Sequence, residues 1–121
     1  MMILALVAIG GGVGSICRVL LGSAVQRATG AKFPVGTLAV NVAGCFAIGA
    51  IVGALAQSPA RASLNATLVT GFCGGFTTFS AFSVETVELL RAGDLKRSLA
   101  FVVLSLALCI SATAAGLALS S

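Results

Sequence analysis

The sequence predicts an all-α membrane protein with four transmembrane helices in a single domain, and three observations predict it. The 121-residue chain is 59% hydrophobic and only 8% charged, with a mean hydropathy of +1.16. That balance is foreign to soluble and disordered chains. Four apolar runs, at residues 2–27, 34–57, 63–90 and 98–119, each reach the roughly 20 residues that a bilayer crossing needs. Six of the seven basic residues fall between these runs or at their ends, the usual flanking of membrane helices. No basic cluster suggests nucleic acid.

The first run has no basic stretch ahead of it, so it reads as a retained helix, not a cleaved signal. Gly10, Gly14 and Gly22 lie along it with Gly11, Gly12 and Arg18, and the small residues suit close helix–helix approach. A short polar loop with Thr29, Gly30 and Lys32 leads to Pro34, expected in the first turn of the second helix. That helix is free of charge from Phe33 to Ala60 and carries Asn41 in its first half. The fourth run follows the turn Ala92-Gly93-Asp94 and the basic pair Lys96-Arg97. Glu88 and Arg91, three residues apart, are placed for a surface ion pair.

Cys17, Cys45, Cys73 and Cys109 each occupy a different apolar run, without CxxC spacing, and the chain has no histidine. A zinc site or disulfide framework does not fit this pattern. Small buried apolar residues are the expectation for all four.

The third run is the unusual one. Between Ala62 and Val84 it has no charge, yet it contains Gly74-Gly75, Thr77-Thr78, Ser80, Ser83 and phenylalanines at 76, 79 and 82. Glycine costs about 1 kcal/mol against alanine inside a helix, so Gly74-Gly75 is where a break is expected, in the region Gly74–Thr78. Irregular backbone at membrane depth is tolerated only when it is buried in protein or lines a cavity. The stretch is therefore a candidate site. Asn41 can bond a neighbouring helix or donate to an anion. Arg18 can snorkel or supply positive potential. The hydroxyls of Thr77, Thr78, Ser80, Ser83, Ser105, Ser111 and Thr113 can bond back to their own helices or form a polar track. Such a track has donors and no fixed negative charge, which favours an anion or a neutral solute. A phenyl ring offers a positive edge, so Phe79 and Phe82 can face either lipid or an anion.

The residues Gly74-Gly75-Phe76-Thr77-Thr78-Phe79-Ser80-Ala81-Phe82-Ser83-Val84-Glu85 resemble the GG-x-TTFS-x-F-x-x-E signature of the Fluc (CrcB) fluoride channels. Gly12 to Arg18, Pro34 to Leu38 and Val40 to Gly44 agree with the family in the same order, so the likeness spans essentially the whole chain. The resemblance implies an antiparallel, dual-topology homodimer in the bacterial inner membrane, with two fluoride pores at its interface. It implies Phe79 and Phe82 as pore phenylalanines, Asn41 as the pore amide and Arg18 as the vestibule arginine. Thr78, Ser80 and Glu85 fall on motif positions beside the path, and Ser105 or Ser111 is expected to continue the track. The carbonyls of Gly74 and Thr77 would hold a structural sodium ion. The implied function is passive export of cytoplasmic fluoride, giving fluoride resistance without enzymatic chemistry.

Two rival classes are a proton-coupled four-helix transporter and a purely structural subunit. The first needs a deep carboxylate, and the first two runs have none. The second leaves Asn41 and the Thr-Thr-Phe-Ser cluster without a purpose. One feature conflicts with dual topology: Arg27, Lys32, Arg91, Lys96 and Arg97 fall on one side, against Arg61 alone on the other. Such a bias ordinarily fixes one orientation. A homodimer is preferred, with an oppositely inserted relative as the alternative partner.

Overall fold

Apolar runs of this length have to satisfy every backbone N–H and C=O internally, and helix is how a single chain does so in lipid. The computed structural model describes residues 1–121 and is helical almost throughout. Helix α1 spans Met2–Thr29 and α2 spans Val35–Ala54. The third crossing, Arg61–Arg91, is composite. It comprises α3 (Arg61–Leu64), a stretch of wide π turns over Asn65–Cys73, α4 (Gly74–Phe76) and α5 (Phe79–Arg91). Helix α6, Leu95–Ser120, completes the chain. All four crossings are long and apolar enough to span a membrane.

Element ends follow local chemistry more than hydropathy. Gly30 closes α1 in the left-handed region, φ 60, where a side chain would be strained. Pro34 precedes α2 instead of entering its first turn, because its ψ of 67 is not helical. Asp94 caps α6 by accepting from the Arg97 N–H at 3.1 Å. The helix therefore begins ahead of the apolar run, with Lys96 and Arg97 inside its first turn. The expected Glu88–Arg91 pair is not formed. The ion pair present is Arg97 to Asp94 at 3.2 Å, because the capping carboxylate already lies within reach of that guanidinium.

The packing is unusual in what it buries. Eight of the fifteen buried residues are glycines, and the apolar core is only Val40, Cys73, Phe76 and Phe101. A Cβ on Gly14 would meet the Phe72 carbonyl, one on Gly36 the Gly22 carbonyl and one on Gly116 the Phe46 carbonyl. The helices thus touch backbone to backbone, the arrangement favoured where lipid removes the hydrophobic advantage of large side chains. Contacts advance together along α1 and the third crossing, and along α2 and α6, so each of these pairs is parallel. Gln26 against Gly36 and Thr37 against Glu85 make α2 antiparallel to α1 and α5. The result is a four-pass bundle with the 30–34 and 92–94 turns at one end. Large apolar side chains such as Ile9, Ile16, Val103 and Ile110 point outward and are more than 60% exposed. They suit lipid or a second copy.

Candidate functional site

Two residues interrupt the third crossing. Thr77 (φ −78, ψ 157) and Thr78 (φ −145, ψ 116) are extended between α4 and α5. Gly74, where an opening was expected, is helical at φ −61, ψ −39. The glycine pair serves approach instead: a Cβ on Gly75 would strike the Gly11 carbonyl of α1.

What stabilises the extended residues is side-chain hydrogen bonding that replaces the missing helical bonds. The Asn41 Nδ2 donates to the Thr78 carbonyl at 3.0 Å, and the Thr78 N–H donates to Asn41 Oδ1 at 2.8 Å. Asn41 therefore grips both main-chain polar groups of one residue with the two ends of its amide and keeps one Nδ2 hydrogen for another acceptor. Thr78 Oγ1 caps α5 by accepting from the Ala81 N–H at 3.0 Å and lies 3.1 Å from Ser80 Oγ. Thr77 turns its N–H and its hydroxyl back onto the Cys73 carbonyl. From α1, Arg18 Nε and Ser15 Oγ both donate to the Gly75 carbonyl, at 3.2 and 3.4 Å. Arg18 thus reaches inward and does not snorkel.

Two hollows flank Thr78. One, about 270 Å³, is lined by Arg18, Gln26, Thr37, Thr78 and Glu85 among others. Thr37 Oγ1 donates to Glu85 Oε1 at 2.9 Å, while Glu85 Oε2 is buried without a partner. The other is an open groove of about 260 Å³ bounded by Asn41, Thr78, Phe79, Phe82 and Ser105, with Cys45 and Cys109. No charged side chain lines it. Its polar groups are amide and hydroxyl donors, and two phenyl rings, whose edges carry positive charge, border it, so it can accommodate a small anion.

Phe79 is 79% exposed, whereas Phe82 is half-buried. Their ring centroids lie 5.7 Å apart. Phe82 rests on Phe101 at 5.2 Å, and Phe101 meets Phe33 edge-on at 5.7 Å. Phe101 and Phe33 escaped sequence reasoning, since neither lies in the third run and nothing in their spacing links them to Phe82. Ser105 lines the groove with its hydroxyl buried and unpartnered. Ser111 is exposed on α6 and lies outside both hollows. Ser83 bonds back to the Phe79 carbonyl at 2.9 Å, and Thr113 to the Cys109 carbonyl at 3.0 Å.

No three carboxylate, imidazole or thiol groups lie together as a metal cluster. The interruption does free neutral oxygens. No hydrogen bond within the chain ends on the Thr77 carbonyl. The Thr78 N–H, which a continuous helix would aim at the Gly74 carbonyl, goes to Asn41 instead. Hard carbonyl oxygens of this kind fit an alkali cation, although one chain offers only this pair.

A family profile described as "CrcB-like protein, Camphor Resistance (CrcB)" matches residues 5–117. The chain is 47% identical over 117 residues to a protein of Agrobacterium fabrum, covering 96% of this chain and 94% of the relative. It is 45% identical over 114 residues to one of Rhizobium johnstonii (93% and 91%). A Geobacter sulfurreducens protein is 46% identical over 112 residues (92% and 90%). Each of these relatives bears the name "Fluoride-specific ion channel FluC".

Proposed function

The chain belongs to the CrcB-like family, and from that premise we propose that it is a passive, fluoride-selective channel exporting cytoplasmic fluoride. It is a multi-pass membrane protein of a channel family and not an enzyme. The observation that carries the proposal is the groove, where two phenyl rings and neutral donors border a space without fixed negative charge. Fluoride would pass along Phe79 and Phe82, take the free Nδ2 hydrogen of Asn41 and meet the hydroxyls of Thr78 and Ser80. The Ser105 hydroxyl extends the track better than Ser111, because it faces the groove. Arg18 and Glu85 would set the potential of the neighbouring vestibule.

A groove open along one side is half a pore. The exposure of Phe79 and the thin apolar core support a second copy against this face, antiparallel in the proposed arrangement, so that each copy completes the other's path. At the two-fold axis the Gly74 and Thr77 carbonyls of both copies would supply oxygens to a structural sodium ion. That ion would neutralise freed carbonyl dipoles at the interruption and tie the copies together.

The test is fluoride efflux from proteoliposomes loaded with potassium fluoride, started by a potassium ionophore. Rapid efflux that needs the ionophore, that falls to the leak rate in Phe79→Ala and Phe82→Ala, and that is absent for chloride is expected. Efflux driven by a pH gradient without ionophore would instead favour the proton-coupled reading, with Glu85 as the carboxylate. No efflux from a folded dimer, restored by no oppositely inserted relative, would overturn the channel reading.

A further inference from the structure

Two of the four thiols share one groove at a close seam between helices. Cys45 on α2 and Cys109 on α6 lie on parallel helices whose backbones touch. A Cβ on Gly49 would meet the Thr113 carbonyl, and one on Gly116 would meet the Phe46 carbonyl. With both backbones fixed, the two side chains open onto the same groove from adjacent helices. Both half-buried residues line the groove of Asn41, Phe79, Phe82 and Ser105. The other two thiols are placed differently: Cys73 is fully buried outside the groove, and Cys17 stands on α1.

Paired thiols beside an open groove have a definite coordination chemistry. Zinc takes four ligands, and the groove offers no carboxylate or imidazole to complete such a set. A soft d10 ion that accepts two sulfurs in a line needs nothing more, and thiolates select soft metals. Charge favours a divalent ion of this type. When the mercuric ion binds, each thiol loses its S–H proton to water and two S–Hg bonds form. Two protons are released, no electron is transferred, and the S–Hg–S bridge is neutral. An ionic product would be left in a low-dielectric wall at high cost, whereas this one is not.

We propose that Cys45 and Cys109 form a two-coordinate site for a soft d10 cation, bridging α2 to α6 on the wall of the groove. Bound there, the ion obstructs the space beside Phe79 and Phe82. The obstruction rests on the fluoride-path reading, but the binding does not.

The experiment titrates the purified full-length protein with mercuric nitrate in chloride-free detergent buffer and counts the free thiols that remain. Loss of two thiols per ion is expected in the unsubstituted protein and in Cys17→Ala and Cys73→Ala. Loss of one per ion is expected in Cys45→Ala and in Cys109→Ala, with Cys→Ser versions used where an alanine variant does not fold. Two-per-ion loss persisting in either of the latter, or vanishing in Cys73→Ala, would overturn the site. Fluoride efflux measured alongside should stop with one ion per chain and recover on adding a dithiol. Paired thiol loss with undiminished efflux would uphold the site and overturn only the groove as the fluoride path.

Discussion

Asn41 shows what a single residue's letter conveys and what it withholds. A lone amide inside a charge-free run has to have a partner, and that much was readable. Its partner, the backbone of Thr78, lies 37 positions away in the chain, a distance no periodicity spans. The interruption moved for the same reason. Local propensity pointed at Gly74-Gly75, but Gly75 is required against Gly11, and the side chain that replaces lost backbone bonds stands opposite Thr78. Asn41→Ala leaves the Thr78 N–H and carbonyl unpaired, a cost of about 2–6 kcal/mol at roughly 1–3 kcal/mol for each group. Unfolding in detergent followed by denaturant titration reads that loss. Asn41→Asp keeps an acceptor for the Thr78 N–H and adds a negative charge. It should retain more stability than the alanine variant while its fluoride flux disappears.

At the scale of elements, the hydropathy pattern located all four crossings but not what fixes their ends. The turn between α1 and α2 is held by Gln26, whose Nε2 donates to the Ala31 and Phe33 carbonyls at 2.8 and 3.0 Å. Its Oε1 accepts from the Gly36 N–H at 2.9 Å. Sequence reasoning passed over Gln26 because a polar residue near a helix end needs no special account. One side chain thereby sets the angle at which α2 leaves α1, and so the height of Asn41 relative to Thr78. Gln26→Leu removes three bonds of about 0.5–1.5 kcal/mol each. A stability loss of about 1.5–4.5 kcal/mol is expected, with fluoride efflux slowed in proportion to the misplacement of Asn41. A variant as stable as the original would show that the turn is set by Pro34 and the Gly36–Gly22 contact alone.

Over the whole molecule, the two turns at one end carry Arg27, Lys32, Arg91, Lys96 and Arg97, and the opposite end only Arg61. Glu85, Glu88 and Asp94 lie towards the same basic end, and Asp94 is paired with Arg97. Acidic residues weigh little in orientation, so the bias stands, and it is the test of the proposed antiparallel homodimer. In a variant without native cysteines, a single cysteine placed at Lys32 should be labelled by an impermeant reagent from both faces of the membrane in near-equal shares. Labelling from one face only would require a second, oppositely inserted chain to close the groove. A dimer is not legible in composition, because lipid and a partner copy ask for the same outward apolar side chains.

The glycine seams have a consequence for how such a chain can vary. Around its circumference one aliphatic residue does nearly the work of another, so substitutions there are exchanged at little cost. Along the seams no such exchange exists. Every single-base change in a glycine codon that alters the residue encodes something larger or a stop, and the facing atom is often a backbone carbonyl that cannot step aside. Genetic drift in this bundle therefore runs freely over its lipid-facing rim and halts where its helices have no side chain to spare.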